Sequence, residues 1–133
     1  MTYTLSTVVD RPFDETLEAV RAALSDQGFG ILSEIDLAGT LRAKIGAEIP
    51  PQVILGACRP PLAHAAVQAE PSIGVLLPCN VVVRAGEDGR TIVDAMDPDA
   101  MVSVTGNDTL AEVAADARAR ISAALATLGE SAA

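Results

Sequence analysis

Tryptophan is absent from this 133-residue chain, and aromatic residues make up only 2% of it: Tyr3, Phe13 and Phe29. So few ring faces exclude a stacking platform for single-stranded nucleic acid. Basic residues are scarce as well. Lys+Arg number 9 against 18 Asp+Glu, a formal net charge of −9. Phosphate binding needs clustered Lys and Arg, so nucleic acid is excluded as a partner. Long hydrophobic runs are missing too. The most apolar stretch, Ile73 to Val83, is interrupted by Pro78 and Asn80. It falls short of the roughly 20 residues that cross a bilayer, so no membrane partner is expected. The opening Met1-Thr2-Tyr3-Thr4-Leu5-Ser6 has no basic segment leading into an apolar one. The expected location is therefore cytoplasmic. Two cysteines do not make a disulfide framework.

What is present is apolar and small. Hydrophobic residues reach 50%, and 24 residues are Ala. That is too apolar for a disordered chain. The length is that of one domain, residues 1–133, with an ordered core of about 3–128. A chain of this size buries well over half of its unfolded surface without a stapling metal.

Tyr3 to Val9 reads as a strand. Phe13, Leu17, Val20 and Leu24 then recur on one helical face, and Gly28 stops that helix. Phe29 to Ile35 is the second strand, and Asp36 to Gly46 a short helix. Gln52 to Ala57 is a third strand, followed by a helix from Pro61 to Ala69. Asn80 to Arg84 and Arg90 to Met96 form a hairpin around Gly86-Glu87-Asp88-Gly89. Met101 to Thr105 reads as a connector. Leu110, Val113, Ala117, Ile121, Leu125 and Leu128 stripe a last helix ending at Gly129, with a frayed tail beyond. The order β-α-β-α-β-α-β-β-α predicts a two-layer α+β fold. Its sheet would be mixed and partly antiparallel, with helices mainly on one face.

Every soft ligand in the chain falls within one block, Cys58-x5-His64-x14-Cys79. If the strands before and after this block are neighbours, the three side chains can converge. Cys58 precedes a Pro-Pro helix start and stands beside Arg59. Free amides and the positive end of a helix dipole favour a thiolate there, although Pro60 and Pro61 themselves have no N–H to offer. The plain alternative is that Cys58 and Cys79 are small buried hydrophobes. His64 lies among Ala63, Ala65 and Ala66. An imidazole titrating near 6.5 could serve as acid, base or ligand, while a lone helical histidine is more often a surface residue. Three soft ligands without C-x2-C spacing do not make a structural zinc site, so any soft metal here would need a further ligand. Gly28-x-Gly30 follows a helix rather than a strand and is no dinucleotide fingerprint. The turn acids Asp94, Asp97 and Asp99 read as solvated.

Several blocks together resemble the domain of unknown function 302 family. They are Arg11-Pro12-Phe13, Gln27-Gly28-Phe29-Gly30-Ile31-Leu32, Ile54-Leu55-Gly56-Ala57-Cys58, Pro60-Pro61-Leu62-Ala63-His64, Glu70-Pro71 through Ile73-Gly74, and Leu76-Leu77-Pro78-Cys79-Asn80-Val81. The resemblance runs from about Tyr3 to Leu128. Arg59 stands where that family often has Asn. The resemblance implies a compact α+β fold of bacteria and archaea, commonly a homodimer. It makes Cys58, His64, Cys79 and Asn80 look like family equipment, and it supplies no activity.

The expectation is therefore a Cys/His site that binds a small ligand, a soft metal ion or a reactive sulfur species. Cys58 would be the thiolate and His64 the base or second ligand. Cys79 would be the resolving thiol or third ligand, with Asn80 and Arg59 contacting the ligand. One alternative is a non-catalytic binding or structural homodimer with the three residues packed in its core. Another is a thiol redox protein cycling a Cys58–Cys79 disulfide.

Overall fold

A computed structural model describes residues 2–130. The elements are β1 (Thr4–Val9), α1 (Phe13–Asp26), β2 (Gly30–Asp36), α2 (Leu37–Ile45), β3 (Gln52–Cys58), α3 (Pro60–Ala69), β4 (Cys79–Ala85), β5 (Thr91–Met96), α4 (Asp99–Thr105) and α5 (Ala111–Glu130). Short 3-10 turns occupy Pro71–Leu76 and Asp108–Leu110.

The five strands form one sheet in the order β1-β5-β4-β3-β2. Every neighbouring pair is antiparallel. The expected α+β class and element order hold, and the sheet is antiparallel throughout rather than only in part. The hairpin between β4 and β5 is legible from its turn, where Asp88 and Gly89 take positive φ. The remaining pairings depend on where the helices return the chain, which no single strand's pattern reveals.

Period-two alternation places Val53, Leu55 and Ala57 of β3, Cys79, Val81 and Val83 of β4, and Val93 and Ala95 of β5 on one buried face. Onto it pack Val20, Ala23 and Leu24 of α1 and Ile121, Ala124 and Leu128 of α5. Each fully buried Leu or Val contributes roughly 1.5–3 kcal/mol of transfer free energy. With few aromatics available, alanines fill the helix faces, and they let α1 and α5 lie against each other and the sheet. The opposite sheet face presents Ser6, Val8, Asn80, Val82, Arg84 and Asp94.

A second cluster caps the end of the sheet where β3 exits and β4 enters. It gathers Ala66, Ile73, Met101 and Leu110, with Leu76, Leu77 and Val113 against them. Met101 belongs to α4, so the segment read as a connector is a helix. Its β-branched Val102, Val104 and Thr105 disguise it locally, while burial of Met101 holds it in place. The Thr105 hydroxyl donates to the Met101 carbonyl at 2.6 Å. Helix α5 runs one residue past Gly129. The rest of the expected tail, residues 131–133, lies outside the described residues. Among the described residues no helix is long and apolar enough to cross a membrane.

Candidate functional site

β3 and β4 are adjacent, and Ala57 pairs with Cys79 across their ladder. Cys58 is the next residue and the last of β3. Both thiols are free, and both line one cavity of about 30 Å³. A single water needs roughly 10–15 Å³ of such space. The cavity therefore admits a small group, not a large cofactor. Phe29, Leu62, Ala66, Leu77, Met101 and Val113 supply an apolar wall, and Arg59 is its charged member.

The local chain explains the shape. Cys58 hands over to Arg59, whose backbone is still extended (φ −103°, ψ 107°), and α3 begins at Pro60. Proline suits a first helical turn because the N–H it lacks would have no partner there. The next two amides, of Leu62 and Ala63, both donate to the Arg59 carbonyl at 3.0 Å. The start of α3 thus has no idle donors for the Cys58 sulfur. The expected thiolate stabilisation by free helix amides loses its basis, because two donors are missing and two are engaged.

Cys79 opens β4 with 7% of its surface exposed. Burial in apolar surroundings, and secondarily the neighbouring Cys58, push its thiol up from 9.0 to about 11. It is a neutral thiol at physiological pH. Cys58 is half-buried and is the more accessible of the two.

His64 and Asn80 do not join the thiols. On α3, Leu62, Ala63 and Ala66 face the cavity. The 100° step of a helix leaves His64 exposed and outside the cavity lining. Asn80 follows Cys79 by one strand residue, and strand alternation turns it to the opposite sheet face. There it is exposed and lines a groove with Gln52, Arg84 and Asp94. Among the described residues no three His, Cys, Asp or Glu side chains are gathered so as to hold a metal ion. The expected Cys58–His64–Cys79 ligand set is dispersed by helix phase.

Arg59 is brought in by Gly28. Gly28 ends the turn after α1 with φ +83°, and its amide donates to the Ser25 carbonyl at 2.9 Å. A side chain there would lie 3.0 Å from the Arg59 Nε, so glycine gives the arginine room to cross the backbone. Sequence reasoning missed the wall residues Phe29, Leu77 and Met101. Phe29 directly after Gly28 carried a usable signal. Met101 carried none, since its helix was not recognised.

A family model described as domain of unknown function DUF302 matches residues 5–128. The chain is similar to the crystal structure of an uncharacterized conserved protein DUF302 from Bacillus stearothermophilus. The two are 29% identical, with a TM-score of 0.87 over 95% of this chain and 98% of the other. No curated protein matches the chain.

Proposed function

The chain belongs to the domain of unknown function DUF302 family, and from that premise, which brings a fold and no reaction, we propose that it binds a small soft ligand at the Cys58–Cys79 cavity. The observation that carries this reading is that both cysteines of the chain line one small cavity with an otherwise apolar wall. Soft electrophiles, thiophilic ions and reactive sulfur species share the property of preferring sulfur to oxygen partners. In this reading Cys58 meets the ligand, because it is the accessible thiol. Cys79 stays protonated behind it as a polarisable floor.

The test uses the neutral reagent iodoacetamide on the folded protein at pH 8, followed by digestion and mass analysis. The expected result is modification of Cys58 at a rate comparable to that of the same thiol in the unfolded chain, with Cys79 untouched. If Cys58 reacts only at the rate of global unfolding, both cysteines are core packing and the proposal fails.

A second reading rests on the same ladder. In it Cys58 and Cys79, which line the same cavity from adjacent strands, form a redox pair. A two-electron oxidant would take up two electrons and the two thiol protons as the S–S bond forms.

A further inference from the structure

Arg59 is the charged residue among those that line this cavity. Its Nε is buried and, among the described residues, has no hydrogen-bond partner. Five other arginines, Arg21, Arg42, Arg84, Arg118 and Arg120, each pair with a carboxylate. Among the described residues no carboxylate pairs with Arg59, although acids outnumber bases two to one in the chain. Burial at Nε has removed that atom's hydration, and among the described residues no acceptor replaces it. Gly28 opens the space in which the side chain lies. The arginine therefore lines the same cavity as the thiols, with no charge partner for its side chain among the described residues.

Resting on the ligand-binding reading above, we propose that Arg59 makes the cavity selective for small anions: carboxylates or sulfur oxyanions that carry a soft, thiol-seeking atom one or two bonds from the charge. The volume sets this size. About 30 Å³ takes a methylene or a sulfur atom, while the anionic group stays at the rim with the guanidinium. The planar fork of arginine suits both carboxylate and sulfonate oxygens.

The test compares two reagents of nearly equal size, iodoacetate and iodoacetamide. With either one, the Cys58 sulfur forms a bond to the methylene carbon, iodide leaves and the thiol proton passes to solvent. The rate ratio in the folded protein is divided by the ratio for the unfolded chain, which removes intrinsic reactivity. The expected normalised preference for iodoacetate is roughly tenfold, the scale of one charge-assisted contact. It should fall with added salt. It should approach one in Arg59→Gln and persist in part in Arg59→Lys. If both reagents modify Cys58 and the wild-type ratio is one at low salt, the anion selectivity is overturned and the ligand-binding reading stands. If neither reagent reaches Cys58, the ligand-binding reading itself falls. The wild-type ratio and its salt dependence decide the matter even if a variant does not fold.

Discussion

Cys58 and Cys79 stand one register step apart on adjacent antiparallel strands, with Ala57 directly opposite Cys79. Their environments differ despite that closeness. Cys58 is half-buried at a strand end, and Cys79 is enclosed by the apolar wall. The pair therefore combines a partly exposed cysteine with a buried one.

The shielded thiol ties stability to alkaline pH. Burial raises Cys79 to about 11 in the folded chain, against an ordinary value of 9.0. The folded state holds this proton more tightly than the unfolded state does. The stabilisation is complete below about pH 9 and is lost as pH rises from there through 11. Urea midpoints measured from pH 8 to 11 should fall for the wild type. Cys79→Ala should start lower by about 1–2 kcal/mol, from the methyl-sized void it leaves. Its decline across the same window should be shallower. Parallel slopes would remove Cys79 as the titrating group.

The redox reading makes its own prediction under mild oxidation. Diamide accepts two electrons and two protons, which matches closure of one disulfide. In that reading, treatment of dilute protein should lower the free thiol count from two to zero with no cross-link between chains. Cys58→Ser should keep its remaining thiol free, because Cys79 is buried. Wild-type protein that retains both thiols, or that cross-links between chains, would exclude the intramolecular redox reading.

The helical phase of α3 makes a prediction about the one histidine. His64 is exposed and points away from the cavity wall formed by Leu62, Ala63 and Ala66. His64→Ala should change stability by no more than about 0.5 kcal/mol, as surface substitutions do. It should also leave the iodoacetamide rate at Cys58 unaltered across pH 6 to 8. A rate that loses an inflection near the imidazole range would return His64 to the site.

These residues show what the sequence could and could not convey. The first and last helices were legible because Phe13-to-Leu24 and Leu110-to-Leu128 repeat at helical spacing, and β3 and β4 because of their Val- and Ile-rich runs. The convergence of Cys58 and Cys79 followed from supposing those two strands adjacent, which they are. Nearness in sequence failed for His64 and Asn80 because phase decides direction. Ala63 and Cys79, their immediate neighbours, face the cavity, and one step along a helix or strand turns a side chain away. Met101 was illegible because its helix is held by burial against Leu110 and Ala66 rather than by local propensity. Gly28 and Arg59 lie far apart in the chain, so no spacing could have joined them.

The acids after β5 carry a structural prediction in place of the solvated turn expected of them. Asp97 is 7% exposed. Its carboxylate accepts the Asp99 amide at 3.0 Å, which ties down the first turn of α4, and it accepts Arg118 Nε from α5 at 3.2 Å. Arg118 is itself nearly half exposed and reaches Asp99 as well. The two ends of this contact should therefore respond unequally. Asp97→Ala leaves the part-buried Asp99 amide without its acceptor and should cost about 1–2 kcal/mol. Arg118→Ala removes one partner of a partly exposed pair and should cost less than about 1 kcal/mol. Because α4 carries Met101 into the cavity wall, Asp97→Ala should also speed alkylation of Cys79, while Arg118→Ala should not. Chemical denaturation of both variants, read beside peptide mapping of the two cysteines, checks the asymmetry. Equal losses would show that the ion pair, rather than the hold on the first turn of α4, is what Asp97 supplies.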